Sequence, residues 1–482
     1  MNHIKSLAGQ TAVYGISSIL GRLINYLLVP LYTLEVMFSP HQLGQVADLY
    51  AFSAFFLILY THGMETTFFR FSAKIDSTSA YNQAFTSVLV VSTLVTILLF
   101  SASDGLATMA QFSGDSRFIR WMAMIIFFDA ITALPFAKMR QENKARKFVI
   151  LKLSSILINF SLQIVFLLGA SGLVSWLPDV LNQGPVIDYI FIANLAANLL
   201  LMLFLWKYFR NIRFQFNWEF FRPMLVYSIP ILITGLAGTI NELLDKILIK
   251  RLISADELGI YHQVFKLAVL IQLAVQAFRY AGEPFFFSRA EDKNAPKLFA
   301  DVLHYFVIFG LLLFTAISFN LDLIGKLMLS NPIFRAGLFV VPVIMVGKLL
   351  NGVYINISIW FKIKDKTIYG TYFTIFGSII TIAGNIILIP ILGYMGSAVT
   401  IVLAYLSMVV VCYFFGQKYF PVPYRFLPMI AYLFLACGLV WISFQFQHSN
   451  FYIDSGINMF ATLIVVLLVW LIEKGKLVNK TQ

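Results

Sequence analysis

The chain has 482 residues, of which 60% are hydrophobic and only 12% are charged, and it carries a formal net charge of +12. Soluble domains contain about 45–50% apolar residues, so this composition excludes a soluble globular protein and indicates a polytopic membrane protein. The apolar runs are about 20 residues long, as membrane helices require, and they lack the alternation of outer-membrane strands.

The first apolar segment, residues 10–34, carries Arg22 near its middle and Asn25 one turn later. It directly follows the N-terminal residues and shows no small-residue cleavage site, so we expect a retained helix and not a signal peptide. A charged side chain at the centre of a membrane helix is costly and usually faces protein or water. We therefore predict a functional role for Arg22.

Hydropathy predicts thirteen further spans along the chain, which makes fourteen in all. Their approximate bounds are 43–63, 81–101, 118–137, 148–169, 186–206, 223–249, 259–281, 301–321, 336–359, 368–390, 394–416, 426–446 and 453–472. The connecting loops are too short to form a soluble domain. The predicted fold class is therefore an all-α polytopic membrane protein with about 14 transmembrane helices.

Loops rich in lysine and arginine alternate along the chain with loops that contain few of them. One side, which includes both termini, holds most of them, while the other holds only Arg117, Lys250, Arg251, Lys326 and Arg335. By the positive-inside rule both termini are cytoplasmic. The net positive charge thus reports membrane orientation, and a nucleic-acid partner is not needed to explain it.

An internal repeat relates the two halves of the chain. The stretch "SPHQLGQVADLY" resembles "SADELGIYHQVF", and the matches are Ser39 with Ser254 and Leu43-Gly44 with Leu258-Gly259 at an offset of 215 residues, then Arg70 with Arg289 after short insertions. Six spans separate the copies, so both halves point the same way, as in one recurrent transporter plan. Chance similarity between apolar segments is the alternative. The repeat predicts lobes at 1–215 and 216–420, each of six helices, followed by two helices and a tail at 421–482.

Polar side chains recur on one face of several predicted spans. On the first helix the spacing is four, three, four and three, as one face of a helix requires; the residues are Thr11, Gly15, Ser18, Arg22 and Asn25. We predict a water-filled central cleft in which cationic and amide groups bind an anion such as phosphate, because arginine matches phosphate oxygens bidentately. The predicted substrate-binding residues are Arg22, Asn25, Lys266, Arg279 and Lys348.

Acidic residues at membrane depth offer a second role. They are candidates for ion coupling if transport uses H⁺ or Na⁺, and they comprise Asp48, Asp129, Glu242 and Asp245. The alternative is that the charges pair with each other, Arg22 with Asp48 or Asp129, and Lys246 or Lys266 with Glu242 or Asp245. Neither the histidines nor Cys412 and Cys437 show metal-ligand spacing, so we expect no catalytic residue, metal or resident cofactor.

The stretches "AGQTAVYGISSILGRLINYLLVPLYT", "LGQVADLYAFS", "GMETTFFRF", "DELGIYHQVFKLAVLI" and "IPILGYMGSAVTIVLAYL" resemble bacterial polysaccharide flippases, O-antigen flippases among them, of the multidrug/oligosaccharidyl-lipid/polysaccharide exporter superfamily. The resemblance spans nearly the whole chain. It implies an inner-membrane flippase that moves an undecaprenyl-pyrophosphate-linked oligosaccharide outward by alternating access, for cell-surface polysaccharide or lipopolysaccharide biosynthesis. It further implies contact with membrane lipids and work alongside a glycan polymerase and glycosyltransferases.

Other functions remain open on the sequence. The related lipid II flippases tend to carry paired arginines on the first helix, whereas Ser18 and Asn25 stand here where a second cation is expected. A cation-coupled multidrug exporter is the alternative transporter. A membrane glycan polymerase or ligase is the alternative enzyme, but the longest outer loops, near 102–117 and 170–185, contain no histidine and few acids.

Overall fold

A computed structural model describes residue 15 and residues 19–73, 76–112, 115–172, 185–210, 212–214, 216–445 and 451–481, with side chains given as far as residue 473. Over these residues the chain is 87% helical, with no strands. Thirteen of the described helices are long and apolar enough to cross a membrane, and a shorter apolar helix precedes them. The predicted all-α membrane fold with about 14 transmembrane helices is confirmed.

The helices are numbered in chain order. They are α1 Ile19–Tyr32, α2 Pro40–Phe71, α3 Ser77–Ser101, α4 Arg117–Gln141, α5 Ala145–Ala170, α6 Asp188–Arg210, α7 Trp218–Leu252, α8 Ala255–Arg289, α9 Ala295–Phe319, α10 Pro332–Ile363, α11 Ile368–Leu392, α12 Tyr394–Tyr419, α13 Phe426–Gln445 and α14 Phe451–Glu473. Two short helices, Ser103–Met109 and Leu321–Met328, follow α3 and α9. Thr11 and Ser18, predicted on the polar face of the first helix, lie outside the described residues.

Several helices extend beyond the predicted apolar spans because polar residues cap them. Ser39 and Gln42 form a reciprocal capping box at the start of α2, in which the backbone N–H of Gln42 donates to Ser39 Oγ at 3.3 Å. Ser254 Oγ accepts from the backbone N–H of Glu257 at 3.1 Å where α8 begins. Each cap satisfies backbone donors that a helix start leaves unpaired. Hydropathy registers the apolar centre of a helix and misses these polar ends.

A sharp break interrupts α2 between Thr61 and Met64. His62 and Gly63 both adopt left-handed backbone conformations there, with φ of 33° and 74°. A β-carbon on Gly63 would also lie 2.9 Å from the carbonyl oxygen of Ser228 on α7. The close approach and the positive φ together require glycine at this position.

Contacts divide the chain into two compact units. The first comprises residues 1–262 and 381–390, and the second comprises 263–380 and 391–482. In the first unit α2 packs on α3, α4 and α7, and α6 packs on α4 and α5. In the second unit α9 packs on α10, α13 and α14, and α10 packs closely on α12. The predicted lobes at 1–215, 216–420 and 421–482 remain a prediction.

The two copies of the sequence repeat meet inside the first unit. A β-carbon on Gly44 would overlap the carbonyl oxygen of Ala255, and a β-carbon on Gly259 would overlap that of Pro40. The 215-residue offset converts the first pair into the second, and it relates His41 directly to Asp256, whose Nδ1 and Oδ2 atoms are 3.2 Å apart. Exchanging each residue for its repeat equivalent therefore leaves this set of contacts unchanged. That property defines a two-fold symmetric contact. The helix starts of α2 and α8 therefore pack about a local pseudo-two-fold axis.

Candidate functional site

The side chains of Arg22 and Asn25 on α1 are both exposed. Other residues of α1 pack on α5. Gly21 contacts Ile156, and the Tyr32 hydroxyl donates to Gln163 Oε1. An exposed group on a membrane helix meets either lipid or water, and lipid contact is costly for a guanidinium. Leu23 and Leu27 of the same helix are exposed as well. The substrate-binding role of Arg22 and Asn25 stays a prediction.

A polar network joins α2, α4 and α6 in the first unit. Asp129 Oδ1 accepts from Asn198 Nδ2 at 3.1 Å, and the hydroxyl of Tyr50 accepts from Asn194 Nδ2 at 3.0 Å. The side chain of Asp129 is nevertheless exposed near the middle of α4. Sequence reasoning singled out Asp129 but missed both asparagines, although their spacing of four places them on one face of an apolar helix.

Asp48 forms a buried ion cluster in the first unit. Its side chain is fully buried, and its carboxylate accepts from Lys250 Nζ at 3.0 Å and from an Arg251 guanidinium nitrogen at 2.8 Å. Lys250 also donates to the carbonyl of Ala110 at 2.7 Å and lies 3.9 Å from the ring centroid of Phe112. Two cations share one carboxylate, so the cluster has a net positive charge. We call these three charged residues the Asp48 cluster.

The Asp48 cluster was not anticipated from the sequence. The sequence offered Arg22 as a partner of Asp48, whereas the structure pairs this carboxylate with Lys250 and Arg251. These two residues were predicted to lie in a loop after residue 249, but α7 continues to Leu252 and carries them on its last turn. Cations at a helix C-terminus are favoured by the helix dipole, which accounts for the longer helix.

The acids of α7 have partners on their own helix and on α8. Asp245 is buried, and its carboxylate accepts from the Tyr261 hydroxyl at 2.8 Å and from Lys246 Nζ at 3.2 Å. The Lys246 ammonium also donates to the backbone carbonyl of Glu242 at 3.4 Å. The predicted pairing of Lys246 with Asp245 is confirmed. An ion-coupling role for Glu242 or Asp245 stays a prediction.

The other predicted substrate-binding cations belong to the second unit. Lys266 Nζ donates to Gln263 Oε1 at 3.0 Å on α8. Lys348 on α10 is 2% exposed, and its ammonium lies 5.2 Å from the ring centroid of Phe265, the residue before Lys266. This unit therefore places Lys348 beside the part of α8 that carries Lys266.

Arg279 lies farther along α8 and is exposed. Its Nε is 3.3 Å from Glu283 Oε1, and the same oxygen accepts from Lys362 Nζ at 2.5 Å. A carboxylate held between two cations neutralises part of their charge. A role for Arg279 in substrate binding stays a prediction, and a substrate anion would compete with Glu283 for Arg279 and Lys362.

A buried polar group in the second unit was missed by sequence reasoning. Glu473, at the end of α14, accepts from the Tyr432 hydroxyl of α13 at 2.8 Å and lies 3.3 Å from His304 Nε2 of α9. These contacts join α9 to the consecutive helices α13 and α14. Among the described residues, no group of three or more histidines, cysteines, aspartates or glutamates is placed to hold a metal ion.

The sequence model of a family described as polysaccharide biosynthesis protein matches residues 37–295. The chain belongs to this family. The match covers α2 through α8, and therefore contains both repeat copies, the Asp48 cluster and Asp129. A curated relative, Lsg locus putative protein 1 of Haemophilus influenzae, is 20% identical over 312 residues, or 63% of this chain and 71% of that protein.

Solved structures with a similar fold come from flippases and exporters. The lipid II flippase MurJ in an inward closed conformation gives a TM-score of 0.77 at 14% identity, covering 96% of this chain and 99% of that chain. An inward-facing multidrug resistance transporter of the MATE family, in the MOP superfamily, gives a TM-score of 0.65 at 13% identity, covering 85% and 94%. The polysaccharide biosynthesis family member thus has the fold of membrane flippases and MOP transporters.

Proposed function

We propose that this protein is a flippase that moves a polyprenyl-diphosphate-linked oligosaccharide from the cytoplasmic to the outer leaflet of a bacterial inner membrane. Its family supports a role in polysaccharide biosynthesis, and its fold is similar over almost the whole chain to a flippase of a lipid-linked substrate. Both termini are cytoplasmic in this proposal, as the distribution of lysine and arginine indicates. The direct partners are the lipid-linked oligosaccharide and membrane lipids.

The observation that carries the proposal is the exposed guanidinium of Arg22 on a helix at membrane depth, with Asn25 exposed one turn later. A planar fork of donors binds two phosphate oxygens at once, and an amide adds a donor and an acceptor for sugar hydroxyls. Lys266 and Lys348 are predicted to supply further positive charge for the diphosphate. The prenyl chain would stay in lipid throughout.

Alternating access requires contacts that close one side of the membrane at a time. The Asp48 cluster and the Gly44 and Gly259 contacts join α2 of the predicted first lobe to α7 and α8 of the predicted second lobe. By the positive-inside orientation, these helix ends lie on the outer side. We therefore assign them to the closed outer end of an inward-oriented state, which opens when the cluster separates.

The proposal is tested by measuring which leaflet holds the lipid-linked glycan in cells that produce the protein with Arg22→Ala. We expect export to fall at least about ten-fold, because a charge-assisted contact to phosphate contributes at least about 1.4 kcal/mol. Arg22→Lys should retain part of the activity, since it keeps the charge without the fork. Arg210→Gln, an exposed change at the end of α6, is the matched control. Export by a well-folded Arg22→Ala variant at the wild-type rate would contradict the role.

A cation-coupled drug exporter is the second candidate, and the fold similarity to multidrug transporters favours it. It predicts proton or sodium flux through vesicles that increases when a cationic drug is added, in the absence of any lipid-linked glycan. A glycan polymerase or ligase predicts instead a change in glycan length or attachment. The flippase proposal predicts neither, and expects the product to be chemically identical to the substrate.

A further inference from the structure

A cationic cavity lies in the first unit, between the last turn of α2 and the first turns of α7. Its volume is about 1110 Å³, and its walls include Arg70, Trp218, Glu219, Arg222 and Tyr227. Small-molecule sites typically measure about 300–1,000 Å³, so this cavity has room for more than a phosphate group. None of its lining residues belongs to the predicted substrate-binding set.

The two arginines of this cavity have no carboxylate partner in the part of the chain that the structure describes. The Arg70 guanidinium carbon lies 4.1 Å from the ring centroid of Tyr227, and that ring contacts Phe71 edge to face at 6.2 Å. The stacking positions the guanidinium through its face and leaves its N–H edges for an acceptor. Arg289, the repeat equivalent of Arg70, instead pairs with Asp292 at 3.2 Å.

The cavity also lies where the membrane surface should be. α7 has 35 residues and is about 52 Å long, whereas the hydrocarbon core is about 30 Å thick, so its first turns extend to the headgroup level. Aromatic residues cluster there, with Trp218 and Phe221 ring centroids 6.2 Å apart and Trp218 56% exposed. Tryptophan is enriched at this interface. Val226, 63% exposed, continues an apolar surface toward the hydrocarbon.

We propose that this cavity is a loading site that binds the diphosphate of a prenyl-linked substrate at the cytoplasmic leaflet before the substrate enters the protein. The proposal rests on the flippase function. Arg70 and Arg222 each bind one phosphate, the exposed apolar side of α7 keeps the prenyl chain in lipid, and the remaining volume takes the first sugar. Glu219 accepts hydrogen bonds from sugar hydroxyls, and its charge leaves a net of one positive charge before the ligand arrives.

The test uses tritiated farnesyl diphosphate, a short prenyl diphosphate, and purified full-length protein in phosphatidylcholine nanodiscs. Binding is measured in an Arg22→Ala background, so that any site at Arg22 does not contribute. We expect saturable binding that Arg70→Gln and Arg222→Gln each weaken at least about ten-fold, as for a lost charge-assisted contact. Arg289→Gln, the repeat-equivalent control, should bind as the parent does. Arg70→Lys, which keeps the charge, should bind less tightly than arginine and guards against a folding defect.

Two outcomes would overturn the loading site. The first is unchanged binding by monodisperse Arg70→Gln and Arg222→Gln proteins. The second is loss of probe binding when the nanodiscs contain phosphatidylglycerol, which would assign the cavity to ordinary anionic lipid heads. Failure of the flippase proposal gives a different result, because wild-type protein would then bind the probe through Arg70 and Arg222 without moving any lipid-linked glycan.

Discussion

Gly44 and Gly259 stand 215 residues apart, and each packs against the backbone carbonyl at the start of the other's helix. The equivalence of the two residues is visible in the sequence repeat, and their mutual contact shows that the repeat copies meet at their N-terminal ends. Only glycine allows backbones to approach this closely, because any β-carbon would overlap a carbonyl oxygen. The contact therefore depends on both positions equally.

Gly44→Ala and Gly259→Ala should each destabilise the protein, by about 1–3 kcal/mol, because a β-carbon must force the helix starts apart. The local two-fold relationship predicts similar losses at the two positions. Thermal unfolding of purified protein measures both. Gly238→Ala on α7 is the control, since nothing lies within 4 Å of an added β-carbon there. Equal stability of all three variants would show that the helix starts are not in contact.

Asp48→Asn should be more damaging, because it leaves Lys250 and Arg251 with no carboxylate in an enclosed site. Removing one partner of a buried ion pair typically costs about 3–5 kcal/mol. Asp256→Asn breaks the exposed pair with His41 on the same side of the protein, and should cost less than about 1 kcal/mol. Comparing the two midpoints of thermal unfolding tests the difference. Equal midpoints would mean that the Asp48 cluster is solvated.

Separation of the Asp48 cluster also predicts a change in conformation. If the cluster closes the outer end, Asp48→Asn shifts the population toward outward opening, since the closed state loses its ion pairs. A cysteine pair at His41 and Asp256, whose side chains are 3.2 Å apart, would report this opening as lower cross-linking in the variant than in the parent. A cross-linking yield unaffected by Asp48→Asn would remove the cluster from the transport cycle.

Asp129 is proposed as the ion-coupling residue of the first unit. Asp129→Asn keeps a hydrogen-bonding group beside Asn198 but cannot release a proton or carry charge. Transport by this variant should no longer respond to a proton or sodium gradient, while substrate binding is retained. Glycan flipping in vesicles with and without each gradient measures this. Asp104→Asn, in the short helix after α3, is the control, and an undiminished gradient response in Asp129→Asn would exclude the role.

Glu473 should hold α14 against α9 and α13. Glu473→Ala removes the acceptor of Tyr432 and the partner of His304, so we expect a loss of about 1–3 kcal/mol. Glu473→Gln keeps an acceptor and should lose less. Leu463→Ala, a change at a 66% exposed position of α14, is the control for unfolding measured in detergent. A Glu473→Ala protein as stable as the Leu463→Ala protein would contradict the contact's role.

The sequence predicted the helices well because an apolar run of membrane length admits few other structures. Helix ends were less predictable, since Ser39 and Ser254 extend α2 and α8 beyond their apolar centres. Charge partners were not predictable, because Asp48 and Lys250 are 202 residues apart and meet only through the packing of α2 on α7. The neighbouring pair of Asp245 and Lys246, by contrast, could be anticipated from sequence proximity.

The most direct test of the proposed function reconstitutes the purified protein in vesicles that contain a fluorescent polyprenyl-diphosphate-linked oligosaccharide in both leaflets. A glycosidase added outside then digests only the outer leaflet, and continued digestion reports flipping. Wild-type protein should allow digestion of the whole pool, whereas Arg22→Ala protein should expose the inner-leaflet pool at least about ten-fold more slowly. Protein-free vesicles should stop near the outer-leaflet fraction. Digestion by wild-type vesicles that stops at the same fraction as protein-free vesicles would contradict the proposal.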